Sequence, residues 1–180
     1  VPGHLPGRQS VIASDVDVDG AELLLVVPAE PDVSERSARD AGWTDFYDAD
    51  GPVLLTSPRH HVGVVHVDAT RAATGRPGRL EPFDVFVNLW FSPAGTDCGR
   101  HAVHPFLEFH TQVSGLGAME KFAHRDAETA YEEQVLAPGS SGAAAFAAYD
   151  EPSSSFTYPW HQYRAVTDAT WLAVELHHTA

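Results

Sequence analysis

Imidazole and carboxylate side chains recur at short spacing in one stretch of the sequence, residues 99–115. If the second half of this stretch is a strand, residues two apart share a face, so Glu108, His110 and Gln112 point the same way. His104 lies a few residues upstream and adds a second imidazole. Neutral imidazoles and a carboxylate are ligands for Fe, Zn, Mn, Ni or Cu. The stretch therefore predicts a divalent-metal site, although a solvated polar strand face would show the same alternation.

The composition narrows the chemistry and the partners. Histidine occurs 11 times, as often as Lys and Arg together, while Lys121 is the only lysine, so chemistry through a lysine Schiff base is disfavoured. The 25 acidic and 11 basic residues give a formal net charge of -14, which opposes binding to nucleic acid. No apolar run approaches the ~18 residues of a membrane-spanning helix. We therefore expect a small-molecule substrate, no nucleic-acid partner and no membrane span.

The sequence pattern predicts an all-β fold with antiparallel strands. The 14 Gly and 13 Pro separate short apolar stretches, and no helix-length period follows residue 83. Alternation is strongest in the strand candidate 83–91. The other strand candidates in this half are 106–113, 118–122, 130–136, 144–149, 158–164 and 170–177. Without βαβ spacing, they predict an antiparallel sandwich or barrel over residues 81–180.

Residues 1–80 are expected to form an extension that packs on this barrel, so that the whole chain is one structural domain. The extension begins as an extended arm with alternating Asp and Val. Asp32, Glu35 and Gly42 mark the start, first turn and end of one short capped helix, the only helix expected. Strands at 53–56 and 62–67 follow, before a Gly- and Pro-containing loop.

The stretch 99–115 resembles the first motif of the cupin superfamily. In that motif a glycine precedes a pair of histidines, a glutamate follows after a few residues, and a further glycine closes the strand. His104, Glu108 and Gly115 stand at the corresponding places, with Gly95 or Gly99 upstream, and Gly117 continues the turn. Residues 136–142, which include Pro138 and Gly139, are similar to the Pro-Gly turn of the second cupin motif. The resemblance covers about half of the chain and implies a jelly-roll β-barrel that holds a divalent metal ion.

The chain departs from the cupin pattern at two ligand positions. The first histidine of the pair would fall at Ala102, so His101 is the alternative ligand there. The second motif ordinarily ends in a histidine where this chain has Gly142. His161 is the substitute, because the resemblance implies that its strand runs beside the start of the first motif. The predicted metal ligands are then His104, Glu108, His110 and His161.

Two further residues are candidates for catalysis rather than for metal ligation. Gln112 shares the face of Glu108, and its amide could hold a ligand or a substrate. Tyr163 is two residues from His161 on the same strand face, where its hydroxyl could donate a proton. Aromatic packing in this strand would also explain both His161 and Tyr163.

The resemblance implies an enzyme that uses one divalent metal ion, iron first and zinc, nickel or manganese next, to transform a small organic molecule. Oxygenase chemistry on Fe(II) is the leading hypothesis, and isomerase, lyase or cyclase chemistry on Zn, Ni or Mn follows. A cupin that binds a small ligand without catalysis is the alternative that Gly142 favours. A metal-free sugar-nucleotide epimerase that uses His110 and Tyr163 as an acid–base pair is a third.

Assembly and location are expectations as well. Cupins commonly pair through sheet faces and terminal strands, so the apolar face of Leu107 and Phe109, with the Asp-rich arm, predicts a homodimer. Cys98 is the single cysteine and cannot form an internal disulfide, and no signal-like segment precedes the domain. These features favour a cytoplasmic protein.

Overall fold

The computed structural model describes residues 17–18, 20, 23–27, 33–141 and 147–179. Within these ranges the chain forms mainly strands, and every pairing between them is antiparallel. The elements in chain order are α1 (Glu35–Asp40), β1 (Thr44–Asp45), β2 (Leu55–Thr56), β3 (His60–Asp68), α2 (Ala69–Thr74), β4 (Leu80–Ser92), β5 (Leu107–Ser114), β6 (Gly117–Phe122), β7 (Ala130–Leu136), β8 (Ala148–Asp150), β9 (Ser155–Thr157), β10 (Trp160–Ala165) and β11 (Ala169–His178). The predicted all-β, antiparallel fold class is confirmed.

Two sheets form the body of the fold. The larger sheet has the order β1-β2-β4-β11-β5, with β3 also paired to β4, and the smaller sheet has the order β10-β6-β7. Strands β8 and β9 make a separate hairpin. Since β2 and β3 both pair with β4, the strands before residue 80 belong to the same sheet as the strands of the metal motif.

The long strand β4 shows the predicted alternation. Phe83, Val85 and Phe91 are fully buried on one face, which we call the outer face of the larger sheet. Helix α2 and the β8–β9 hairpin cover one end of the outer face, and α1 covers the other. The opposite, inner face packs against the smaller sheet, where the Trp171 and Tyr163 ring centroids are 4.0 Å apart. The core is therefore divided between the two faces of one sheet.

The two helices test the prediction of a single helix. Helix α1 lies where it was expected, with Ser34 as its N-cap in a capping box with Ser37. Helix α2 was not expected, so the prediction of one helix is wrong. Its six residues are too few to show a helical period, although the Asp68 side chain caps Arg71 N and Gly75 ends the helix in the left-handed conformation.

The surface predicted for dimerisation is not free. Leu107 is fully buried, and Phe109 packs against the same cluster, so the chain itself covers this apolar face. That argument for a homodimer is therefore wrong, and the Asp-rich arm lies mostly outside the described residues. Among the described residues, no helix is long and apolar enough to cross a membrane.

Candidate metal centre

Three histidine side chains converge between the loop that precedes β5 and the strand β10. His104 Nε2 is 2.9 Å from His101 Nε2 and 3.1 Å from His161 Nε2. Each ring offers one nitrogen to a common point, with all of these atoms within 4.8 Å of one another. This is the arrangement that a tridentate metal site requires.

Backbone pairing fixes two of these three rings. His101 and His161 form an isolated antiparallel bridge, in which each backbone N–H donates to the other residue's carbonyl at 3.0 and 2.9 Å. Cys98 N also donates to Tyr163 O at 2.9 Å, so the loop before the first motif runs along β10. The strand that carries the substitute histidine therefore lies beside the start of the first motif, as the resemblance implied.

Hydrogen bonds to carbonyl oxygens set the tautomers of His101 and His161. His101 Nδ1 lies 3.1 Å from Gly99 O, and His161 Nδ1 lies 2.8 Å from Pro159 O. A carbonyl oxygen only accepts, so both Nδ1 atoms carry the proton and both Nε2 atoms of the neutral rings present a lone pair. Such bonds are the ones that orient histidine ligands in metal sites.

Burial keeps the rings of His104 and His161 neutral. Desolvation lowers the pKa of His104 to about 3, with the neighbouring His101 and His161 rings adding to the effect. Desolvation likewise lowers the pKa of His161 to about 4. Both imidazoles are therefore unprotonated at neutral pH, which is the state that binds a metal ion.

Glu108 lies behind His104 rather than among the converging nitrogens. Its Oε2 is 3.6 Å from His104 Nδ1, on the side of the ring away from Nε2. Burial, followed by the nearby carboxylate of Glu175, raises the pKa of Glu108 to about 7. The carboxylate is placed to hold the Nδ1 proton of His104, which leaves Nε2 of that ring free for a metal ion.

His110 is not brought into the cluster. It shares the inner face with Glu108, as predicted, but its ring packs beside both Tyr163 and Trp171, with centroid distances of 5.0 and 5.6 Å. Of the four predicted ligands, the structure joins His104 and His161, and the alternative His101 completes the group. The sequence signal for His101 is its spacing of three residues from His104.

The two predicted catalytic residues contact each other. Tyr163 donates its hydroxyl proton to Gln112 Oε1 at 2.9 Å, and Gln112 Nε2 donates to Ser114 O at 2.7 Å. Both side chains are buried, and desolvation raises the pKa of Tyr163 above its ordinary value. This hydrogen-bond chain fixes the inner face beside His110, and a catalytic role for either residue stays a prediction.

A polar and aromatic rim beside the histidines was not found from the sequence. Phe106 contacts both His104 and His177, with ring centroids 5.2 and 4.6 Å apart. His177 Nε2 lies 2.8 Å from Glu175 Oε2, and Arg59 NH1 lies 3.3 Å from the same oxygen. Glu175 is the register partner of Glu108, so two carboxylates stand side by side on neighbouring strands. The alternation of β11 places Glu175 and His177 on one face of that strand. The sequence does not reveal that β11 pairs with β5, and so it does not predict that Glu175 lies beside Glu108.

The Pro138–Gly139 turn of the second motif contacts strand β5 of the first motif. Gly139 N donates to Gln112 O at 2.8 Å, and Gln112 N donates to Ser140 O at 2.9 Å. Gly139 has a φ of 83°, in the left-handed region that a glycine adopts without strain. Gly142, where the usual fourth ligand would stand, lies outside the described residues.

No protein-family model and no curated protein matches the chain. Solved structures do match it. The KdgF structure from Halomonas sp. is 13% identical, with a TM-score of 0.42, over 76% of this chain and 88% of that one. A cupin superfamily protein from Desulfitobacterium hafniense is 11% identical, with a TM-score of 0.36, over 66% of this chain and 81% of that one. Ectoine synthase from P. lautus is 16% identical, with a TM-score of 0.39, over 74% of this chain and 70% of that one.

Identities this low concern the fold alone, and TM-scores below 0.5 carry no information on activity. The side chains of the site, rather than the fold, therefore indicate the function.

Proposed function

We propose that the chain is a metal-dependent enzyme that acts on a small organic molecule. The observation that carries this proposal is the convergence of three imidazole Nε2 atoms, two of which are held as lone-pair donors by Nδ1 bonds to carbonyl oxygens. At most one of these three nitrogen atoms bears a proton to share, so at least one lone pair in the cluster has no donor. A divalent ion would satisfy all three and would keep coordination positions for a substrate.

The residues of the chain have separate roles in this proposal. His101, His104 and His161 would hold the ion, which supplies Lewis-acid or redox chemistry when bound. Glu108 Oε2 lies 3.6 Å from His104 Nδ1, and a proton between them would leave the Nε2 lone pair of that ring to the ion. Phe106 packs against His104 and excludes water from one side of the cluster.

Oxygenase chemistry on Fe(II) is the form of this function that we propose first. Three neutral imidazoles with open positions suit an ion that must bind both a substrate and dioxygen. Isomerase, lyase or cyclase chemistry on zinc, nickel or manganese would use the same three ligands without dioxygen.

Metabolite profiling tests the enzymatic function. Metal-free protein reloaded separately with Fe(II), Zn, Mn or Ni is incubated with a small-molecule extract, and each compound is followed by mass spectrometry. We expect one or a few metabolites to disappear only with loaded protein, and not with the His161→Gln variant. The exposed His124, changed to Gln, is the matched control and should act as wild type. Metal-loaded protein that binds a metabolite without converting any would contradict catalysis and support ligand binding.

Spectroscopy separates the two forms of the function. Anaerobic Fe(II) protein exposed to nitric oxide should give the electron paramagnetic resonance signal of an iron nitrosyl, because a three-histidine site leaves a position open. The oxygenase form further predicts that turnover consumes dioxygen. Turnover by the zinc or manganese protein without dioxygen would instead support Lewis-acid chemistry.

A further inference from the structure

Two buried acceptor atoms on the inner face have no partner among the described residues. They are Asn88 Oδ1 and His110 Nε2. Asn88 is only 6% exposed. Buried polar atoms are nearly always hydrogen-bonded, so each exception calls for an occupant.

The two orphan atoms belong to one row of the sheet. Asn88 on β4 and His110 on β5 are both register partners of Ala173 on the strand between them. All three side chains point to the inner face, and Ala173 contributes only a methyl group. Along β11, Trp171 and Glu175 lie on either side of Ala173 on the same face. We call this set of five residues the Ala173 notch.

Hydrogen bonds fix Asn88 as an acceptor at the notch. The Thr56 hydroxyl donates to Ser57 O at 3.1 Å, so its oxygen is left to accept. Asn88 Nδ2 donates to that oxygen at 3.0 Å. The amide of Asn88 is therefore oriented with Oδ1 toward the notch.

His110 is an acceptor as well. Its Nε2 has no partner, so the contact through which the Gln112 side chain raises the pKa of His110 is made at Nδ1. Gln112 Nε2 donates to Ser114 O, which leaves only the carbonyl oxygen of Gln112 to face the ring. His110 Nδ1 therefore carries the proton, and Nε2 presents a lone pair.

From these acceptors we infer that the Ala173 notch binds a primary amine in its protonated form, as part of the substrate of the proposed metal centre. An ammonium group has three N–H donors and no acceptor, which matches two lone pairs that nothing else satisfies. Glu175 adds a carboxylate, whose Oε2 is already bound by Arg59 and His177. A carboxylate or phosphate group would face two acceptor atoms and the Glu175 carboxylate here, and the Arg59 guanidinium is already paired with that carboxylate.

The notch also lies within reach of the metal centre. Glu108 is two residues from His110 on the same face of β5, a separation of roughly 7 Å along a strand. Glu108 in turn contacts His104. A short aliphatic chain could therefore place its amine in the notch and an oxygen or nitrogen atom at the histidine cluster. The inference rests on the proposed function in this respect, since it takes the bound amine to be the substrate.

Binding of three matched four-carbon probes tests the inference. The full chain, labelled with ¹⁵N-histidine, is titrated with n-butylamine hydrochloride, n-butanol and sodium butyrate, and the Nε2 resonance of His110 is followed. We expect a saturable shift with the amine and an affinity at least about tenfold weaker for the alcohol, because hydrogen bonds that involve a charged group are the stronger ones. Equal binding of the alcohol or the butyrate would overturn the inference, as would an ordered water that no probe displaces.

Two substitutions of Asn88 should change the affinity for the amine in opposite directions. Asn88→Leu removes the acceptor and should weaken the amine by about tenfold, whereas Asn88→Asp adds a charge and should strengthen it. Ala173→Val fills the notch while it keeps both acceptors, and it should abolish the shift. The control is Thr170→Val, because Thr170 Oγ1 is the third unpartnered buried atom but its residue lies on the outer face.

Zinc affinity measured on the same samples separates the two proposals. Protein that binds zinc at the histidine cluster but discriminates no amine would refute the notch alone. Protein that binds the amine but no metal would leave the notch standing and refute the metal-dependent function. Each variant is accepted for comparison when its unfolding transition remains cooperative, and the Asn88→Asp and Ala173→Val results stand if Asn88→Leu does not fold.

Discussion

Individual side chains decide whether the histidine cluster is a metal site. The sequence places His110 in the ligand set and His101 outside it as an alternative, whereas in the structure His101 lies in the cluster and His110 lies outside it. The two residues differ in what their rings contact. His101 Nε2 faces His104, whereas the His110 ring packs beside Tyr163 and Trp171.

This difference predicts unequal effects on metal affinity. His101→Gln should weaken zinc binding by more than about 100-fold, because it removes a ligand and not merely one of its supporting partners. His110→Gln should leave zinc affinity within about threefold, since the His110 ring does not reach the cluster. Competition titration with a chromophoric chelator measures both. Equal losses in the two variants would restore His110 to the ligand set.

Glu108 gives a second prediction at this scale. As a partner of His104 Nδ1, it should contribute about 10–100-fold to zinc affinity without changing the stoichiometry of one ion. Glu108→Gln keeps the shape of the side chain, and the same titration follows its effect. Glu128→Gln, at an exposed turn, is the control. If Glu108→Gln instead abolished binding as fully as His161→Gln, the carboxylate would be a direct ligand, as the sequence motif suggested.

The strands and turns bring these side chains together from distant parts of the sequence. His101 and His161 are paired through their backbones, and this bridge places the loop of the first motif against β10. Tyr158 secures the start of β5, because its hydroxyl accepts from Glu108 N and donates to Phe106 O, both at 3.0 Å. The turn between β5 and β6 then fixes the far end of the motif strand.

That turn predicts a sharp requirement for glycine at position 115. Gly115 has a φ of 69°, and a Cβ there would clash with the backbone oxygen of Asp168. Gly115→Ala should lower the free energy of unfolding by about 3 kcal/mol, from left-handed strain together with the clash. Gly95→Ala is the matched control, because Gly95 has a similar φ of 79° and nothing near its Cβ position.

Urea unfolding of the metal-free proteins measures both variants. Gly95→Ala should cost only about 1 kcal/mol, the strain component alone. Equal losses in the two variants would mean that the β5–β6 turn yields to the extra methyl group, and that the close approach to Asp168 is not a constraint on the motif.

Local patterns predicted much of the fold, and long-range pairing limited the rest. The alternation of β4 and the strand 130–136 were found from sequence because each is a local signal. Helix α2 was missed because six residues carry a cap and a stop but no period. In the site, the shared face of Glu108, His110 and Gln112 followed from the period of a strand. Which of these faced the other histidines depended on pairing between residues about 60 apart, which no local pattern reveals.

Across the whole molecule, the buried histidines oppose stability at low pH. His161 has a folded pKa of about 4 against an ordinary value of 6.5, so the unfolded chain binds more protons between these values. The stability that neutral His161 contributes is therefore lost as the pH falls from 6.5 to about 4. Glu108 acts in the opposite sense, because its folded pKa of about 7 lies above the ordinary value of 4.5. The stability that protonated Glu108 contributes is lost as the pH rises from 4.5 to about 7.

Comparison with a variant isolates the histidine effect from the other titrating groups. Between pH 6.5 and 5, metal-free wild type should lose about 1–2 kcal/mol more unfolding free energy than His161→Gln, which removes the titrating ring. Urea unfolding at a series of pH values measures this difference. A difference that stays constant across the range would show that His161 titrates normally in the folded protein and is not desolvated.

Metal content is the most direct test of the central claim that three histidines form a metal centre. Untagged protein from mixed-metal medium, and the His104→Gln variant prepared alongside it, are analysed by inductively coupled plasma mass spectrometry. We predict about one divalent ion per wild-type chain and a near-complete loss of bound metal in the variant, because His104 Nε2 contacts both other rings. Wild-type protein that holds no ion, even after reconstitution with iron, zinc, nickel and manganese, would contradict it.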